Sequence, residues 1–223
     1  METHKVKILD SFLITHDVKS FIVERPENYN FKPGQATEIA INSEKWKDEK
    51  RPFTFTSLPD DKYLQFIIKT YPSHESVTNQ LLKIKSGDEL ILGDVFGAIT
   101  YQGPGTFIAG GAGITPFISI FRRLRKEKNL EGNRLIFANK TKKDIILEDE
   151  FDGLLGDDFI NILSDEKVNS YNNGLITEEF LKDNITEETD KFYVCGPPEM
   201  MDAVLERLSS IGIPEKSIVK EEM

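Results

Sequence analysis

The sequence predicts two domains: an N-terminal antiparallel β-barrel over residues 1–102, then an α/β domain with a five-stranded parallel sheet over 103–223. Two observations carry this. Short β-branched or aromatic runs separated by turn residues fill the first hundred positions, with little helix between them. After Gly103-Pro104-Gly105 the rhythm changes to apolar runs alternating with helical spacing, the pattern of a parallel sheet covered on both faces.

In the first half the predicted strands are Val6–Leu9, Phe21–Val23, Thr37–Ile41, Phe53–Thr56, Leu64–Lys69 and Glu89–Leu92. Pro33-Gly34, Pro59-Asp60 and Ser86-Gly87-Asp88 mark turns between them. A short helix is expected from Thr78 to Ile84, with Thr78 as its N-cap. In the second half the buried strands are Thr106–Ala109, Leu135–Ala138, Ile160–Leu163, Phe192–Cys195 and Ile218–Val219. Phe117, Ile120, Phe121 and Leu124 fall at i, i+3, i+4 and i+7, one helix face, with Thr115 as the expected cap and Pro116 suited to the first position. Thr177, followed by Glu178 and Glu179, starts another helix. Met201, Val204, Leu205 and Leu208 repeat the helical spacing, which Gly212 and Pro214 end.

Composition narrows the function. The 223 residues carry 38 acidic and 28 basic side chains, net −10, against a basic nucleic-acid surface. The lone cysteine excludes an intramolecular disulfide, a cysteine-rich zinc site or a cysteine-ligated iron–sulfur cluster within this chain. His4, His16 and His74 are scattered, so no histidine-built metal site is expected. No run approaches the ~20 apolar residues of a membrane span, and the N-terminus lacks a signal-peptide stretch. The expectation is a monomeric cytoplasmic protein that binds neither nucleic acid nor membrane.

Three segments could carry chemistry. In Ala109-Gly110-Gly111-Ala112-Gly113-Ile114-Thr115-Pro116 a buried strand runs through glycines into a helix start, where backbone N–H groups can meet a phosphate. Tight packing alone explains such a turn equally well. Val194-Cys195-Gly196-Pro197-Pro198-Glu199-Met200 leaves a later strand at the end where parallel sheets bind ligands, though a free cysteine is most often a small buried hydrophobe. Arg51-Pro52-Phe53-Thr54-Phe55-Thr56-Ser57 offers a guanidinium, a ring and hydroxyls, and also fits an ordinary amphipathic strand.

Taken together and in this order, the segments resemble the ferredoxin–NADP reductase superfamily, particularly its short bacterial flavodoxin/ferredoxin reductase-like members. Arg51, Phe53, Thr54 and Ser57 match its flavin motif, Gly111, Gly113 and Pro116 its nicotinamide-nucleotide turn, and Cys195, Gly196 and Pro197 its Cys-Gly-Pro segment. The resemblance covers nearly the whole chain.

It implies a barrel that binds FAD, with FMN less favoured, and an α/β domain that takes NAD(P)H. Arg51 and Pro52 would lie along the flavin phosphates, Phe53 against the flavin, and the Thr54 hydroxyl near its N5. Ile67, Ile68 and Lys69 resemble the next flavin-contacting strand, and Ser76, Val77 and Thr78 a phosphate turn. The nucleotide would meet Gly111, Gly113, Ile114, Thr115, Asn139, Lys140, Gly196, Pro197 and Met200, with Lys140, Thr141 and Lys142 available to a 2′-phosphate. Cys195 would sit by the nicotinamide, Glu221 would be the active-site carboxylate, and Met223 would replace a terminal aromatic against the flavin.

The implied activity is hydride transfer from NAD(P)H to FAD, then electron transfer to a separate carrier such as flavodoxin or ferredoxin. The alternatives are reduction of free flavin, supply of electrons to a partner oxygenase, and a non-catalytic flavin-binding module. Such carriers are usually acidic, as is this chain. Docking would therefore need a local positive patch such as Lys45, Lys47, Lys50 and Arg51; Arg122, Arg123, Arg125, Lys126 and Lys128 read as a solvated helix face.

Overall fold

The structure, a computed structural model, describes residues 3–70, 77–186 and 189–221. The predicted positions Ser76 and Met223 lie outside these residues.

Six antiparallel strands form the first sheet: β1 (His4–Leu13), β2 (Val18–Glu24), β3 (Ala36–Ile41), β4 (Arg51–Thr54), β5 (Tyr63–Lys69) and β6 (Glu89–Phe96). Their order is β4-β3-β6-β1-β2-β5, and a bridge between Phe55 and Phe66 joins the two outer strands. Alternation sorts the side chains as strand geometry requires. Phe21, Val23, Leu64, Phe66 and Ile68 point into the barrel core, while Val18 and Ile67 belong to a second core shared with the other domain. Helix α1 (Val77–Lys83) packs Val77 and Leu81 into the barrel. The buried Lys19 ammonium caps its far end by donating to the carbonyls of Leu82 (3.1 Å) and Ile84.

The second sheet is wholly parallel. Its strands are β7 (Gly105–Gly110), β8 (Arg134–Asn139), β9 (Phe159–Leu163), β10 (Asn172–Asn173), β11 (Lys191–Cys195) and β12 (Ile218–Lys220). The order β10-β9-β8-β7-β11-β12 reverses direction between β7 and β11. A crevice opens at such a switch point, outside the carboxyl ends of the strands. Helices α2 (Thr115–Glu127) and α3 (Glu148–Leu155) cover one face through Phe117, Phe121, Leu124 and Phe151. Helices α4 (Glu178–Asn184) and α5 (Pro198–Ser210) cover the other through Leu181, Met201, Val204 and Leu208.

The parallel sheet therefore has six strands, not five. The addition, β10, is two exposed asparagines paired with Ile162 and Leu163, and it carries no apolar run that periodicity could register. Helix α3 is a further addition: Leu147, Phe151, Leu154 and Leu155 fall on one face and pack on the core, a spacing that could have flagged it, although Phe151 alone is fully buried. Two caps differ from expectation. Thr78 lies within the first turn of α1. Thr115 begins α2 but does not cap it: a 3₁₀ turn over Gly111–Ile114 precedes the helix, and the Thr115 hydroxyl donates back to the Ala112 carbonyl at 3.0 Å. Thr177 does cap α4, accepting from the Phe180 amide at 3.1 Å.

The two domains share packing. Val18, Ile67 and Ile99 join the cluster built on α2. Gly34, at φ +94°, brings its backbone so close to Ile99 that an added Cβ would lie 2.2 Å from the Ile99 carbonyl oxygen, and its amide donates to Ser119 Oγ on α2 at 3.0 Å. The linker is pinned by Tyr193 of β11, whose hydroxyl donates to the Gly103 carbonyl (2.7 Å) and accepts from the Gln102 amide (2.8 Å).

Candidate functional site

The glycine turn after β7 and the Cys-Gly-Pro turn after β11 interlock. A Cβ on Gly113 would lie 2.2 Å from the Cys195 carbonyl oxygen and 2.6 Å from the Gly196 nitrogen. One on Gly196 would lie 3.2 Å from the Gly110 nitrogen, and one on Gly110 would meet Met200 Sδ at 2.2 Å. Gly113 is thus needed for packing between turns. Gly111 differs: its φ is +50° and the space beside it is open, so the backbone there can face a ligand directly. Ile114, expected to meet the nucleotide, is fully buried in the core.

The carboxyl ends of the parallel strands open into a cavity of about 680 Å³. Of the residues singled out from the sequence, Gly111, Asn139, Lys140, Pro197 and Met200 line it, together with Gly110. Asn139 is 8% exposed, yet neither its amide nitrogen nor its amide oxygen has a hydrogen-bond partner. Buried polar atoms are rarely left so, which marks Asn139 as the residue of this wall with hydrogen bonds still to make. Thr141 and Lys142 are otherwise engaged. The Thr141 hydroxyl donates to Asp144 at 2.6 Å, and the Lys142 ammonium sits 5.4 Å from the centre of the Tyr171 ring. Lys69, expected from the sequence on the flavin side, also lines this cavity, and sequence reasoning missed the exposed Leu175 and Arg207 of α5 among others. Arg207 shares one helix face with Met200, Ala203 and Val204, a spacing that could have flagged it.

Cys195 and Glu221 approach each other because β11 and β12 pair in register as far as Val194 and Lys220, and these two residues come next. Burial, reinforced by the Glu221 carboxylate, pushes the Cys195 thiol up to about 12, so it is a neutral, soft group at physiological pH. Glu221 meets solvent on one side but is crowded by protein on the other, and this burial holds its carboxyl above the ordinary range.

On the barrel, β4 pairs Thr37 with Phe53 and Ala36 with Thr54. Phe53 and Thr54 are half-buried, whereas Arg51 and Pro52 are exposed. The Arg51 ion pair with Glu49 is long, 3.4 Å, and about half-exposed, an interaction too weak to keep the guanidinium from an anionic group. Further along the chain, Ser57 Oγ accepts from the Gln65 backbone amide at 3.0 Å, an internal structural bond. Ile67 and Ile68 are buried, one in each of the two cores. Lys69 pairs with Asp17 at 3.0 Å. Val77 faces the barrel core from α1.

Residues 3–107 match the family described as FAD-binding domain, and residues 107–206 the oxidoreductase NAD-binding domain. The chain belongs to the ferredoxin–NADP reductase superfamily. It is 31% identical to the reductase component of propane 2-monooxygenase from Rhodococcus jostii, over 86% of this chain and 55% of that protein. It is 26% identical to NADH-cytochrome b5 reductase 3 of Rattus norvegicus, over 96% of this chain and 84% of that one. The chain thus spans little more than half of the first relative. In fold it resembles a ferredoxin NADP+ reductase from Neisseria gonorrhoeae with bound FAD and NADP, with TM-score 0.85, 22% identity, and 99% and 98% of the two chains covered. Two nucleotide-binding domains of this superfamily fit the residues described above: an open glycine turn and an unpartnered amide on one side, an available guanidinium and half-buried β4 on the other. Among the described residues no helix is long and apolar enough to cross a membrane.

Proposed function

We propose that this chain is an NAD(P)H-dependent flavoprotein reductase that passes electrons to a separate acceptor protein. The observation that carries this reading is the meeting of Cys195, Glu221 and the Gly111–Gly113 turn at the switch point of the parallel sheet, beside the cavity lined by Asn139.

When bound, FAD supplies two-electron acceptance from NAD(P)H and one-electron release afterwards. The residues position the partners. Backbone N–H groups around Gly111 would hold the NAD(P)H pyrophosphate, and the Asn139 amide would bond its adenosine end. Lys140 and Arg207 add positive charge to that cavity. Cys195 would present a small uncharged surface to the nicotinamide and, with so high a thiol pKa, does no nucleophilic work. Glu221 can hold a proton at the same place, because burial favours its neutral form. On the barrel, Arg51 would meet the flavin phosphates, Phe53 would pack on the ring system, and the Thr54 hydroxyl would face N5. Catalysis in such a site is chiefly the alignment of two rings.

Flavodoxin or ferredoxin is the proposed acceptor. The relatives' names support a separate protein acceptor, since they include a monooxygenase reductase component and a cytochrome b5 reductase. The test is to load the protein with FAD, pass it through gel filtration, and add NADH or NADPH without oxygen. Retained flavin that bleaches and then reduces added flavodoxin or ferredoxin is the expected result. Flavin lost on the column but reduced when supplied free would make the chain a flavin reductase. Retained flavin that never bleaches would refute the enzymatic reading.

A further inference from the structure

Arg122 was read from sequence as part of a solvated helix face, and the structure overturns that. Its side chain is only 24% exposed, and it lies in a polar network that ties three segments together. Nε and Nη2 form a two-bond fork onto the Glu150 carboxylate of α3, at 2.6 and 2.7 Å. Nη1 donates to the Thr56 carbonyl at 2.8 Å and to Gln65 Oε1 at 2.6 Å. Gln65 in turn holds the same two barrel segments. Its carbonyl accepts from the Thr56 amide at 2.8 Å, its Oε1 accepts from the Thr56 hydroxyl at 3.1 Å, and its Nε2 donates to Ser20 Oγ at 3.1 Å.

The position of this network in the chain gives it meaning. Thr56 lies two residues after Thr54, and Gln65 two before Ile67. Arg122 lies on α2, the helix that begins at the nicotinamide-nucleotide turn. One turn earlier on that helix, Ser119 receives the Gly34 amide at 3.0 Å, a second tie to the barrel from the same face. A planar guanidinium with a fixed fork holds direction as well as distance, which a lysine ammonium cannot do.

We propose that Arg122 is a positioning residue: held in place by Glu150, it fixes the strand that carries Thr54 relative to the helix that carries the nucleotide turn, and so sets the spacing between hydride donor and acceptor. This rests on the reading under Proposed function. A displacement of about 1 Å between reacting groups can cost on the order of 10²-fold in rate.

The test uses the full chain with Arg122→Met, Arg122→Lys and Glu150→Gln. Without cofactor, hydrogen exchange in peptides spanning 53–58 and 63–67 should rise at least about tenfold in the Met variant, since local opening sets that rate. With FAD bound, the rate of flavin reduction at saturating NAD(P)H should fall about 10- to 100-fold, while KM stays within about twofold. Arg122→Lys should recover part of the rate, and Glu150→Gln should show a smaller loss. If the Met variant does not fold, Glu150→Gln carries the same two readouts. Unchanged exchange and rate, or a rate loss matched by a proportional rise in KM, would overturn the assignment. A wild-type protein that NAD(P)H never reduces would instead refute the proposed function, and the exchange comparison would still decide whether Arg122 locks the two domains.

Discussion

Gly113→Ala should be costly out of proportion to one methyl group. The new Cβ would lie 2.2 Å from the Cys195 carbonyl oxygen, 2.5 Å from its carbon and 2.6 Å from the Gly196 nitrogen. Ordinary contact begins near 3.4 Å, so one backbone must retreat by about 1 Å. The two turns also touch at a second place, since a Cβ on Gly196 would lie 3.2 Å from the Gly110 nitrogen, so neither moves without disturbing that contact. Overpacking a core costs about 1–3 kcal/mol, and immovable backbone puts this case at the upper end. For a chain of this size about 3 kcal/mol lowers Tm by about 6–12 °C. Calorimetry should find that drop, together with weakened NAD(P)H binding because both turns are displaced. Gly153→Ala is the control: α3 leaves open space there, and replacing a helical glycine should stabilise by about 0.5–1 kcal/mol. A Gly113→Ala protein that melts within 2 °C of wild type on the order expected for a neutral change and binds nucleotide normally would refute the interlocking of the turns.

Asn139→Leu should leave stability unchanged or raise it by about 1 kcal/mol, because two unpartnered buried polar atoms disappear, while NAD(P)H affinity falls about tenfold; thermal shift with and without nucleotide measures both. Equal affinity would remove Asn139 from the nucleotide site. Cys195 should alkylate at pH 8 at least about tenfold more slowly than an ordinary thiol, since burial pushes its thiol up to about 12 and leaves little thiolate, only part of which a more nucleophilic thiolate offsets. Glu221→Gln should speed that labelling by removing a carboxylate that raises the thiol pKa, and labelling at an ordinary rate in wild type would contradict the placement.

What could be read in sequence was whatever repeats locally. Phe21 and Val23, or Phe117, Phe121 and Leu124, announce strand and helix by spacing alone, and both sheets followed from such runs. The glycine turn and the Cys-Gly-Pro segment are each contiguous, so they stand out in sequence as candidates. Their interlocking was not visible, because Gly113 meets Cys195 across more than one strand–helix unit. Arg122 failed for the same reason. Its partners Thr56 and Gln65 stand 66 and 57 residues away, and a cation on a helix looks solvated until they arrive. Strand β10 offered only two asparagines, and Arg207 became a cavity liner only when the strand ends were brought together.

The central claim is that the chain brings a nicotinamide face to face with its flavin for direct hydride transfer. It is tested most directly by rapid anaerobic mixing of the FAD-loaded protein with NAD(P)H carrying deuterium on one or the other face of the nicotinamide C4. The account predicts slowed flavin reduction with one label only, with that deuterium missing from the oxidised nicotinamide. Equal rates with both labels, and deuterium lost from neither or from both, would contradict it.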